Sequence, residues 1–276
     1  MILDLFQKRI GYINSIGVII LNLQMDGKTA EQYASNAQKI RVITETWVNG
    51  NMFCPYCGNQ YISHFKNNRP VADFFCPSCR EEYELKSKGA SISNKVNDGA
   101  YNTMIERINS INNPNFFFMH YNKSSLEVEN FMMVPKHFFS TEIIEKRKPL
   151  ADTARRAGWV GCNILLNRIP EEGRIYIVQD KKEVPIEQVI NKVQKTDFIR
   201  GYKLDARGWM IDILNCVHQI ENKTFTLEQM YQFEGMLSVK HPENYHVKDK
   251  IRQQMQVLRD QGLIEFLGRG HYRKIL

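Results

Sequence analysis

The sequence predicts a mixed-sheet α/β core with an inserted four-cysteine metal site, followed by a winged helix-turn-helix. Three observations predict it. Two Cys-x-x-Cys pairs, Cys54/Cys57 and Cys76/Cys79, are separated by a spacer of 18 residues, 58 to 75. Short apolar runs at 116–119, 131–134 and 175–178 read as buried strands set among segments of helical periodicity. From Arg207 onward the pattern turns helical, and it closes on two strand-like runs joined by Gly268-Arg269-Gly270.

Composition bounds the function. The chain has 276 residues, 43% hydrophobic and 24% charged, enough to bury the core of one large or two modest soluble domains. This is not the composition of a disordered or fibrous chain. The net charge of +7 is compatible with a polyanionic partner. Six cysteines, four of them in knuckles, fit a reducing compartment better than a secreted disulfide scaffold. Cys162 and Cys216 lie in apolar surroundings and read as core thiols.

In chain order, residues 1–20 read as an extension of unclear role. The apolar stretch 10–23 follows Lys8-Arg9 but is interrupted by Asn14 and Asn22. It is too short to span a bilayer and lacks a small-residue cleavage site. No membrane partner is expected, and the protein is expected to be cytoplasmic. Residues 29–48 have helical character, with Tyr33, Ala37, Ile40, Ile43 and Trp47 in an apolar stripe ending at Gly50-Asn51.

The cysteines come next. Zn²⁺ prefers thiolates in a closed tetrahedron, and a Cys-x-x-Cys turn offers two sulfurs to one ion. The spacer falls in the range of roughly 15–20 residues expected of such sites, so a structural Zn²⁺ on Cys54, Cys57, Cys76 and Cys79 is the expectation. Two matched pairs suit a closed metal site better than redox exchange.

Asp73, Glu84 and Lys86 form a second constellation. Residues two apart on a strand share a face, so Glu84 and Lys86 project together while Tyr83 and Leu85 point the other way. The eleven positions from Asp73 to Glu84 allow a turn and an antiparallel return. Hard carboxylate oxygens suit a catalytic Mg²⁺, and a lysine beside them can orient a water and stabilise developing negative charge. Asp…Glu-x-Lys is also an ordinary surface pattern, so the spacing alone leaves a solvated strand edge equally open.

Residues 87–95 are small and polar and read as a loop whose Lys88 could grip phosphate. Helical spacing resumes through Tyr101, Met104, Ile105, Ile108 and Ile111. In the stretch 149–159, Arg155 and Arg156 beside Trp159 suit phosphate or base contact. Residues 196–206 read as a linker. The C-terminal part then gives a first helix filled by Trp209, Ile211, Ile213, Leu214, Val217 and Ile220. A second helix is capped by Thr226 with Gln229 in a capping box. A third, about 246–261, carries Lys248, Arg252 and Gln253 on its polar face, and Arg269 sits in the wing turn. Residues from 197 on hold twelve basic against ten acidic side chains, a net +2. A protein-binding winged helix therefore stays open on the residues alone.

Several stretches agree, in order, with one family. Asn68-Arg-Pro-Val-Ala-Asp73-Phe-Phe-Cys76, Glu82-Tyr-Glu-Leu-Lys-Ser87, Asn97-Asp-Gly-Ala-Tyr101, Thr153-Ala-Arg-Arg-Ala-Gly-Trp159 and Ile251-Arg-Gln-Gln254 closely resemble DpnI-type restriction endonucleases. The resemblance runs from about Leu21 to the end. It implies a PD-(D/E)xK nuclease domain with its zinc site at 21–203 and a winged-helix DNA-binding domain at 204–276. It further implies cleavage of double-stranded DNA at GATC with N6-methylated adenine, by a monomer whose two domains both sense the methylated sequence. Asp73 and Glu84 match the family's Mg²⁺-binding acids and Lys86 its lysine. The proline of the motif name is displaced, Pro70 lying three before Asp73. The resemblance also places Trp159 at the methyl-sensing surface, where an indole face can pack on the methyl; on the residues alone a core anchor below the loop stays open. The alternative is a non-catalytic reader of methylated DNA or a transcription regulator, which would need none of Asp73, Glu84 and Lys86.

Overall fold

The computed structural model describes residues 21–65, 72–89, 94–110 and 113–275. The expected extension 1–20, Pro70 and the middle of the 87–95 segment lie outside them. Among the described residues, ten strands make two sheets in the first part of the chain. They are β1 (Ser63–His64), β2 (Phe74–Phe75), β3 (Glu82–Lys88), β4 (Lys95–Ala100), β5 (Asn115–Tyr121), β6 (Val128–Val134), β7 (Ile144–Lys146), β8 (Gly161–Leu165), β9 (Ile175–Gln179) and β10 (Lys182–Glu183). The larger sheet has the order β1-β2-β3-β5-β6-β9-β10 and the smaller β4-β8-β7. Among the described residues only β3 and β5 pair in parallel, so the large sheet is mixed. A parallel pair needs a crossover, supplied here by β4 and helix α2 (Tyr101–Asn109).

The run Phe116-Phe-Phe-Met119 shows why the large sheet is buried on both faces. Alternate side chains leave β5 on opposite sides. Phe117 and Met119 enter a core with Trp47 and Val48 of α1 (Asn36–Asn51) and with Val189 and Val193 of α3 (Ile186–Thr196). Phe116 and Phe118 enter another with Val96, Met104, Ile108 and Ile164, under the small sheet and α2. All four are fully buried, each contributing about 1.5–3 kcal/mol.

The C-terminal part comprises α4 (Leu204–Gln219), β11 (Thr224–Thr226), α5 (Leu227–Tyr231), α6 (Glu234–Lys240), α7 (Val247–Asp260), β12 (Ile264–Gly268) and β13 (His271–Lys274). The strands pair as β11-β13-β12, the sheet of a winged helix-turn-helix. Thr226 and Gln229 form the expected capping box at the start of α5. The second helix is split into α5 and α6 by a tightened turn, where the Phe233 N–H donates to the Met230 carbonyl at 3.2 Å.

Three expectations are corrected. The first helix begins at Asn36 rather than near residue 29. Gly27–Ala30 instead forms a 3₁₀ turn whose Asp26 side chain accepts the Lys28 N–H at 2.9 Å, an N-terminal cap that ends locally. Ser87 and Lys88 belong to β3 and Lys95 to β4, so the loop expected at 87–95 is shorter. The expected linker is ordered: α3 runs to Thr196, a 3₁₀ turn covers Asp197–Gly201, and Ile199 is fully buried.

Candidate active site and metal site

The two cysteine knuckles fold alike. Gly58 N–H donates to the Cys54 carbonyl at 2.9 Å, and Arg80 N–H to that of Cys76 at 3.0 Å. Both residues take positive φ, 72° and 67°. The four Sγ atoms all lie within 4.8 Å of one another, with Cys54 and Cys79 at 3.5 Å and Cys57 and Cys76 at 3.6 Å. Tetrahedral Zn–S bonds of about 2.3 Å would place sulfurs about 3.8 Å apart, so the cluster fits a metal of that kind. Burial pushes the Cys57 thiol up, but the Asn59 N–H and the other three thiols outweigh it and bring it down to about 7. Burial raises Cys54 strongly.

The knuckles hold β3 in place. Tyr83 is fully buried, stacks on Phe117 with centroids 4.6 Å apart, and sets its hydroxyl 3.0 Å from Cys54 Sγ. The next residue is Glu84. On that face Lys86 Nζ donates to Glu84 Oε1 at 2.7 Å, and Arg107 of α2 donates to Glu84 Oε2 at 2.8 Å. Lys86 also donates to Asp98 of β4. Asp73 is fastened from the neighbouring strand: its N–H donates to the Tyr83 carbonyl at 2.9 Å, and its Oδ2 accepts the Leu85 N–H at 2.7 Å. The antiparallel return expected between Asp73 and Glu84 is the β2–β3 pair.

Burial raises the Asp73 carboxyl, with the Glu45 charge adding to it. Burial likewise raises Glu84, against the pull of Lys86 and Arg107. Burial pulls Lys86 down, but Glu84 and Asp98 outweigh it and its ammonium is held above the usual range. Two carboxyls that burial makes reluctant to ionise, beside a strand N–H and a lysine, make a setting that a bound divalent cation would relieve.

Sequence reasoning missed three residues here. Asp98 and Arg107 pair with Lys86 and Glu84. Glu45 on α1 takes Arg41 Nε at 2.6 Å and lies 3.1 Å from His64 Nε2, close to Asp73. Asp98 stood inside the family-like Asn97-Asp-Gly-Ala-Tyr101, the one signal available. Arg107 and Glu45 carried none, since they arrive from helices whose approach the spacing does not encode.

The expected DNA-facing residues fall at four places. Lys88 continues the Glu84, Lys86 face of β3 to its exposed end. Arg155 and Arg156 are exposed in the β7–β8 connection, with the Arg156 guanidinium 4.8 Å from the centre of the half-buried Trp159 ring. On α7, Lys248, Arg252 and Gln253 are exposed. Lys248 pairs with Glu234 at 3.4 Å, Arg252 with Asp249, and Gln253 accepts from Lys250 at 3.0 Å. Arg269 is exposed at the wing tip with φ 48°. Among the described residues no helix is long and apolar enough to cross a membrane.

Two family models match the chain. The Dam-replacing family model, DpnI, covers residues 21–202. The Dam-replacing HTH domain model, DpnI_C, covers residues 205–274.

Proposed function

The chain belongs to the DpnI, Dam-replacing family, and from that membership we propose a Mg²⁺-dependent type II restriction endonuclease that cuts double-stranded DNA at GATC carrying N6-methyladenine. The reading is of a cytoplasmic, monomeric enzyme with a nuclease domain at 21–203 and a winged-helix domain at 204–276. The observation that supports it most is Glu84 and Lys86 on one face of β3, with Asp73 bonded to the Leu85 N–H between them.

In this reading Asp73 and Glu84 hold the Mg²⁺. When bound, it would acidify a water and neutralise charge on the scissile phosphate. Lys86 orients the attacking water and stabilises negative charge on the phosphate. Arg107 keeps the Glu84 carboxylate turned toward the site. Cys54, Cys57, Cys76 and Cys79 hold a structural Zn²⁺ that fixes Tyr83 and so β3. Lys88, Arg155 and Arg156 contact phosphate, and Trp159 packs on the methyl. Lys248, Arg252, Gln253 and Arg269 provide the second reading of the site.

The test is a digest of adenine-methylated and unmethylated plasmid with and without Mg²⁺. Cleavage of the methylated plasmid alone, and only with Mg²⁺, is expected. Asp73→Ala and Glu84→Ala should abolish cutting yet keep methylated-site binding, because much of the affinity comes from phosphate contacts elsewhere. Lys86→Ala should lose most activity. Normal cutting by folded Asp73→Ala would overturn the assignment. Methyl-specific binding without cutting, in any divalent metal, would favour the non-catalytic reader.

A further inference from the structure

We infer that Asp98 is a positioning residue for the proposed reaction, holding the Lys86 ammonium from a second sheet; this rests on Lys86 acting at the scissile phosphate. Lys86 Nζ has two carboxylate partners, Glu84 on its own strand and Asp98 on β4. If Glu84 ligates a metal, its oxygens are drawn toward that ion, and Asp98 becomes the lysine's remaining anionic anchor. The Asp98 side chain is only 5% exposed. A carboxylate so buried is costly unless a cation compensates it, so the pair constrains Lys86 strongly.

The backbone around Asp98 is shaped for this role. Val96, two residues earlier on the same face, is buried in the core beneath the small sheet. Alternation therefore carries Asp98 inward as well. The β4–β8 register shifts between Asp98 and Ala100, a bulge of the kind that re-aims a side chain. Beyond the bulge the strand is fixed again: Ala100 pairs with Gly161, and the Tyr101 N–H donates to the Val160 carbonyl at 3.1 Å. The same short segment delivers Arg107 to the other oxygen of Glu84. β4 and α2 thus place one acid on the lysine and one base on the glutamate.

The experiment measures single-turnover cleavage of prebound methylated duplex by full-length protein, with duplex Kd determined in Ca²⁺ and zinc content assayed alongside. Asp98→Asn keeps the shape and removes the charge. Its cleavage rate constant should fall at least tenfold, with Kd within twofold and zinc unchanged. Asp98→Glu keeps the charge and should retain more of the rate than Asp98→Asn. A wild-type rate in Asp98→Asn, the reverse order of the two variants, or an unfolded or non-binding Asp98→Asn protein would each overturn the inference, the last by assigning the carboxylate to the fold. Glu84→Ala and Lys86→Ala are run in parallel. If they still cut, the site reading itself is lost; if they are dead while Asp98→Asn cuts normally, only the role of Asp98 is lost.

Discussion

His137 shows how much one side chain can say about stability. It is fully buried, and neither ring nitrogen has a hydrogen-bond partner among the described residues. Burial, with Arg200, Arg207 and Lys136 nearby, pushes it down to about 3. Between that value and the ordinary one near 6.5 the unfolded chain binds a proton that the native protein refuses. Stability is therefore lost as pH falls through this window. At pH 5 the loss is about 2 kcal/mol. His137→Phe should remove it, which melting temperatures of both proteins at pH 7 and pH 5 would reveal. The raised Asp73 and Glu84 carboxyls act in the opposite sense but are common to both proteins. Equal pH dependence in the two would refute the account. At this scale Glu84 and Lys86 were legible because strand alternation alone puts them on one face. Asp98 was not, because its contact depends on a crossover and a bulge that no periodicity records.

At the scale of elements, the knuckles were legible from spacing, and the structure adds their backbone requirement. Gly58 has φ 72°, and a Cβ there would meet Ile190 Cδ1 of α3 at 3.0 Å. Gly58→Ala should cost about 1–2 kcal/mol from backbone conformation alone, read as a shift in denaturant midpoint. Arg80, at the matching position of the second knuckle, already bears that strain at φ 67°, so Arg80→Gly should cost little or nothing. A Gly58→Ala protein as stable as its parent would remove the argument. The metal is tested separately. Purified protein should carry about one zinc per chain, and Cys54→Ser or Cys76→Ser should lose both zinc and stability, since metal binding is folding energy in such sites. Active protein without zinc on elemental analysis would count against it. The start of α1 was misread because Tyr33 continues the apolar stripe that true helical residues begin only at Asn36. The Asp26 cap that opens the earlier turn looks, in sequence, like any helix start.

For the whole molecule the sequence shows two parts but not how closely they share a core. Trp209, Met210, Ile211, Ile213, Leu214, Cys216 and Val217 are all buried, so α4 is covered on nearly every side. It packs on α7 and on the 3₁₀ turn Lys136–Phe138, and its apolar residues join the same core as Phe116 and Phe118. Further ties cross to it: Asn215 Nδ2 donates to the Arg168 carbonyl at 2.9 Å, and His218 Nε2 lies 2.7 Å from Glu172. A fragment of residues 204–276 should therefore unfold at lower denaturant than the full chain. Its net charge of only +1, ten basic against nine acidic side chains, predicts weak phosphate-driven binding and a shallow salt dependence. Whatever affinity it shows should then come mainly from base and methyl contacts of α7 and the wing. One methyl contact gives on the order of 1–3 kcal/mol of discrimination, so the fragment should prefer methylated GATC duplex by roughly tenfold or more, without cutting. Arg252→Ala or Gln253→Ala should weaken that binding. Trp159→Ala in the full chain should lower the methyl selectivity of cleavage while leaving fold and zinc intact. Equal affinity of the folded fragment for both duplexes across a salt titration would make the winged helix a nonspecific clamp and leave methyl sensing to the Trp159 surface alone.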